Sequence, residues 1–110
     1  MGDVFRRAAP SRRVSRFAVL LTPRATRELD QARADGRALD LDEEIADAFR
    51  QLEALPQTGA RVQIRGKWST TVRRVILDRS GYHLYYRARL EAGVIIVLCV
   101  WHERRRAPRL

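Results

Sequence analysis

Two histidines, one cysteine and a large supply of arginine are the reactive groups this chain offers. His83 stands in Tyr82-His83-Leu84-Tyr85-Tyr86-Arg87, and His102 opens His102-Glu103-Arg104-Arg105-Arg106. Histidine moves a proton near neutral pH, and arginine grips phosphate or carboxylate through a rigid fork of donors. Other chemistries lack their residues. His83, His102 and Cys99 have no metal-ligand spacing, so neither a metal nor a cofactor is expected. No glycine-rich phosphate cradle, no serine elbow and no nucleophile beside a base is present.

The charge balance points to the partner. Twenty-two Lys and Arg face thirteen Asp and Glu, a formal net charge of +9, and Lys67 is the only lysine. Such an excess favours nucleic acid, an acidic protein or an anionic surface. Cys99 is alone in an apolar run, which excludes an intramolecular disulfide and argues for a reducing compartment. No stretch approaches the ~18 apolar residues of a membrane span. A cytoplasmic protein without membrane contact is expected.

The elements that must position these residues follow in order. Met1–Ser15 is basic and aperiodic and reads as an arm. A single domain over 16–106 and a tail at 107–110 complete the division. Arg16–Leu21 reads as a strand. Thr22 suits a helix N-cap, Pro23 the first helical position and Gly36 the stop, with Ala25, Leu29 and Ala32 on one face. A second helix starts at Asp40, where Asp40 and Glu43 have capping-box spacing. Leu41, Ile45, Phe49, Leu52 and Leu55 make its apolar stripe, and Pro56 closes it.

Gln57–Ser69 reads as a linker in which Arg65 and Lys67 beside Trp68 suit a nucleic-acid backbone and a stacked base. From Thr70 on, three β-rich runs are broken at Asp78–Gly81 and Leu90–Gly93, giving a three-stranded antiparallel meander. With the first strand it makes a four-stranded, mostly antiparallel sheet in an α+β fold. Alternation divides Val72, Arg74 and Ile76 from Arg73, Val75 and Leu77. It likewise sets Tyr82, Leu84, Tyr86 and Ala88 toward a core, and His83, Tyr85, Arg87 and Arg89 toward a basic, aromatic surface. Val94–Trp101 has no side chain more polar than Cys99, so either both its faces are covered or it sits at the sheet centre.

Several strings in this order resemble the RelE/ParE superfamily of toxins from bacterial type II toxin–antitoxin modules. They are Leu21-Thr22-Pro23-Arg24-Ala25 with Glu28-Leu29, Val72-Arg73-Arg74-Val75-Ile76-Leu77, Ser80 to Arg87, and Val97 to Arg105. The likeness spans about Arg16 to Arg106. It implies a cognate antitoxin with an acidic C-terminal segment, and growth arrest when the toxin is free. It also implies one of two targets. RelE-like members cleave mRNA on the ribosome; ParE-like members bind DNA gyrase.

On the RelE-like branch, Arg74, His83 and Arg104 fall at positions with functional basic residues. Arg65, Lys67, Arg73, Tyr85, Arg87, His102 and Arg105 would then contact nucleic acid or target. This chain departs from that branch at its end, where Arg105-Arg106-Ala107-Pro108-Arg109-Leu110 contains no tyrosine. On the ParE-like branch the protein is not an enzyme, and His102 orients the tail. A different class of function, a small non-enzymatic nucleic-acid-binding module, rests on the basic sheet face and arginine-rich ends alone.

Overall fold

A computed structural model describes residues 17–36 and 40–110. The arm at Met1–Ser15, and Arg16 at the head of the first strand, lie outside the described residues. The element order is β1 (Ala18–Leu21), α1 (Pro23–Asp35), α2 (Leu41–Ala54), β2 (Ala60–Ile64), β3 (Lys67–Leu77), β4 (Tyr82–Arg89), a 3-10 turn (Leu90–Ala92) and β5 (Val94–His102). The sheet runs β1-β5-β4-β3-β2, with β1 parallel to β5 and the other pairs antiparallel.

The α+β class and the helical hairpin agree with the sequence reading. The strand count does not. The sheet has five strands, and the stretch expected as a linker contributes β2 and the first residues of β3. The meander therefore has four strands. Arg65 and Gly66 form its first turn, both with positive φ (54° and 80°), the conformation a two-residue hairpin turn requires.

Helix α1 begins and ends on its expected residues. The Thr22 side chain accepts from Ala25 N at 3.0 Å, Pro23 occupies the first turn, and Gly36 stops the helix at φ 63°. Asp40 departs from expectation: its side chain makes no capping hydrogen bond to α2 and lies 3.7 Å from Arg79 Nη1 instead. The stripe of α2 buries Leu41, Ile45 and Leu52, whereas Phe49 is half-buried and Leu55, past the helix end, is 59% exposed.

Both helices cover one face of the sheet. The main core joins Ala25, Leu29, Ile45 and Leu52 to Leu77, Leu84, Tyr86, Ile95 and Val97. β5 lies between β1 and β4, and its Ile95, Val97 and Cys99 are fully buried. A smaller cluster of Val62, Val72, Tyr85 and Cys99 occupies the other, open face.

Three polar devices hold the sheet in place. Glu44 of α2 is 8% exposed and accepts from Arg79 N at 2.8 Å and Ser80 N at 3.1 Å, which pins the β3–β4 turn. Glu28 of α1 accepts from Val100 N at 2.9 Å on β5. The third device grips Gly59, just before β2. Its N–H donates to the Tyr86 hydroxyl at 2.9 Å and its carbonyl accepts from Arg73 Nη1 at 2.8 Å. A Cβ at Gly59 would stand 2.7 Å from that hydroxyl, so only glycine fits.

Tyr86→Phe removes the acceptor of a buried N–H and should cost about 1 to 3 kcal/mol in urea unfolding. Leu52→Ala, which empties a fully buried site, should cost about 2 to 5 kcal/mol. Phe49→Ala should fall below the cost of a fully buried phenylalanine.

Candidate functional site

The open face of the sheet gathers the residues with chemical potential. Register does the gathering. Arg74 faces Tyr85 across β3 and β4, Ile76 faces His83, and His83 faces Trp101 across β4 and β5. Arg74, His83, Tyr85 and Arg87 thus project on one side, with Trp101 beside them. The His83 and Tyr85 rings lie 6.5 Å apart, tilted by 42°.

Arg74 is half-buried there. Its Nε is shielded from solvent and finds no hydrogen-bond acceptor among the described residues. Around it, Arg61, Val62, Gln63, Trp68 and Tyr85, together with Ala107, Pro108 and Leu110, line a cavity of about 240 Å³. Trp68 is 58% exposed, with the Arg61 guanidinium 5.8 Å from its ring. Arg65 and Lys67 flank this corner at the exposed β2–β3 turn.

His83 sits below its ordinary pKa of 6.5. Burial is the main cause and the Arg74 guanidinium the second; Glu103 opposes them and His102 adds to them. The imidazole is therefore neutral at pH 7, able to accept a proton rather than give one. Burial and the Glu28 carboxylate push the Cys99 thiol up to about 12, so it stays protonated and unreactive.

The remaining sequence candidates are placed elsewhere. Arg73 neighbours Arg74 in sequence but points to the covered face, where its guanidinium holds the Gly59 carbonyl. His102 also turns to the covered side. Its ring meets Tyr82 edge-on at 5.0 Å, and its Nδ1 accepts from Arg104 N at 3.2 Å. Arg104 and Arg105 line a cleft of about 350 Å³ with Glu28, Gln31, Asp35, Tyr82 and His102, between α1 and the end of β5. Of the three residues carried over for a nuclease, Arg74 and His83 share a face; Arg104 lies across the strand from them.

Sequence reading did not place Trp101 among the site residues. The Arg105 guanidinium lies 4.0 Å above the Trp101 ring, that of Arg24 lies 5.8 Å away, and Trp101 Nε1–H donates to the Arg106 carbonyl. An indole between two arginines is a recognisable cation–π arrangement, but the second arginine comes from α1, far away in sequence. Among the described residues, no group of three His, Cys, Asp or Glu could hold a metal ion. No helix there is long and apolar enough to cross a membrane.

A basic α+β domain with a helical hairpin on one sheet face and arginine, histidine and aromatic side chains on the other has solved counterparts. One is described as a chromosomal ParDE TA system from P. aeruginosa. It matches with a TM-score of 0.58 at 19% identity, over 78% of this chain and 95% of that one. At that identity the likeness concerns the fold. No curated protein matches the chain. The profile of the ParE toxin of the type II toxin–antitoxin system, parDE, matches residues 19–107. The chain belongs to the ParE toxin family.

The His83 shift has a definite sign. A folded pKa below the unfolded value means that the unfolded chain binds more protons, so stability is full above pH 6.5 and falls as pH drops toward the folded pKa. By NMR, the His83 ring should titrate below 6.5, and Arg74→Gln should move its midpoint upward. An unchanged midpoint in that variant would remove Arg74 from the site's electrostatics.

Proposed function

We propose that this chain is the toxin of a two-protein module, restrained by a cognate antitoxin, and that the free toxin arrests growth by docking on DNA gyrase. Membership of the ParE family supports the toxin role and the antitoxin partner. The observation that carries the choice of target is the separation of Arg74 and His83 from Arg104.

Cleavage of RNA through its 2′-OH needs a base for the hydroxyl, an acid for the leaving oxygen and cations on the phosphate between them. His83, neutral beside Arg74, supplies the base and one cation. Among the described residues the acid has no candidate: Tyr85 is buried, His102 faces the other way and residues 103–110 contain no tyrosine. Docking requires none of this. It needs apolar area within a rim of charge, and the open face has Ile76, Trp68 and Trp101 among Arg61, Arg74 and Arg87. A net charge of +9 favours an acidic patch on the target and an acidic segment on the antitoxin.

The purified toxin should inhibit gyrase supercoiling of plasmid DNA and leave mRNA intact in a cell-free translation reaction read by primer extension. Arg74→Ala and Arg87→Ala should weaken inhibition by about tenfold each if each removes a charge-assisted contact. Ribosome-dependent breaks within codons would replace this reading with the nuclease one. Salt-sensitive nucleic-acid binding with neither effect, and no growth arrest on expression, would leave the binding-module reading.

A further inference from the structure

The small cluster on the open face is well buried for a face without helices. Val72 is 2% exposed, Tyr85 6% and Cys99 0%. Cys99 has Glu28 and Arg24 of α1 beside it, whereas Tyr85 shares a cavity with the chain's own end, Ala107, Pro108 and Leu110. After β5 the backbone turns at His102–Arg105, where Arg105 N donates to the His102 carbonyl at 3.0 Å, and residues 107–110 line cavities with β2 and the start of β3. Trp101 Nε1–H and Arg24 Nη1 donate to the carbonyls of Arg106 and Arg109. Pro108 and Leu110 line one cavity with Trp68 and Arg74.

This end segment is loosely fastened. Cavities of about 240 Å³ and 500 Å³ open along it. Pro108 is its only half-buried residue from 103 onward, and Leu110 is 44% exposed. Arg105, Arg106 and Arg109 lie over a face that is itself basic, and among the described residues no Asp or Glu side chain pairs with them. Two carbonyl acceptors, one arginine–indole stack and two small apolar contacts hold the segment against like-charge repulsion.

We propose that residues 106–110 are an autoinhibitory strap, closed over Arg74, Tyr85 and Trp68 and lifted when the target engages that face. The proposal rests on the open face being the target-binding surface. The strap occupies the same apolar area and screens the unpartnered Arg74 Nε without bonding to it, so its closure lowers the fraction of toxin able to dock, and apparent affinity falls by that fraction. An arriving acidic surface neutralises both the strap and the face beneath it.

The chain's two tryptophans, Trp68 and Trp101, both touch the strap. Two full-length variants move it in opposite directions. Pro108→Gly with Leu110→Ser removes its apolar contacts. Leu110→Glu places a carboxylate beside Arg61 and Arg74 and tightens it. Acrylamide quenching of tryptophan fluorescence should rise in the first and fall in the second. The concentration for half-inhibition of gyrase should fall about tenfold in the first and rise in the second. Unchanged quenching in both variants would overturn the strap. So would greater quenching accompanied by weaker inhibition, since the tail would then be part of the docking surface. If wild-type toxin leaves gyrase untouched, the target assignment fails by itself; quenching still reports closure, and growth arrest on graded induction reads the same opposed shifts.

Discussion

β1 is four residues long and β5 is nine, so the second half of β5 has no strand along one edge. The peptide groups that face away from β4 there have to find another partner or be buried without one. Helix α1 supplies those partners. Thr22 N donates to the Val97 carbonyl at 3.0 Å, the Thr22 hydroxyl reaches the Leu98 carbonyl at 3.2 Å, and Glu28 takes the Val100 N–H. Thr22 meanwhile caps its own helix, so one side chain starts α1 and finishes the β5 edge. The position of the helical hairpin on the sheet follows from these few bonds. Everything beyond Val100, including His102, Arg104 and the strap, takes its direction from the strand they hold.

Strand β3 fixes where charge is put. Arg73 and Arg74 are adjacent, yet the two-residue period of β3 sends the first to bind Gly59 on the covered side and the second into the open face. One arginine is therefore structural and its neighbour is available to a partner. His83 comes to Arg74 only because the β3–β4 turn pairs Leu77 with Tyr82, which sets Ile76 against His83 and Arg74 against Tyr85. A slip of one residue would exchange the two faces and bury an unpaired guanidinium.

Much of the fold was legible because its signals are local. Thr22-Pro23, Gly36 and the four-and-seven spacing of Leu41, Ile45 and Leu52 act within one or two helical turns. β2 was not legible. Ala60-Arg61-Val62-Gln63-Ile64 alternates, but Arg61 and Gln63 are exposed and the glycines on either side give the composition of a loop. Its stability comes from Tyr86 and Arg73, side chains more than a dozen residues away. Asp40 failed as a cap because its backbone, at φ −103° and ψ 18°, is not in the extended conformation an N-cap adopts. The site divides in the same way. Alternation alone put His83, Tyr85 and Arg87 together, whereas joining Arg74 to them needed register. The separation of Arg104 needed the bend after β5, which has no periodicity to read.

That bend is tied to the rest by Gly81. At φ 79° it allows the β3–β4 turn to close, and a Cβ there would stand 3.1 Å from Glu103 Oε1 and 3.2 Å from His102 Nε2. Its carbonyl accepts from Glu103 N at 2.8 Å, while Glu44 of α2 holds the N–H groups of Arg79 and Ser80 in the same turn. One turn thus joins α2 to the segment from which the tail departs. Because Glu44 is buried and doubly bonded, it holds the turn against α2. The structure therefore contains a short physical connection between the surface covered by helices and the strap that covers the other.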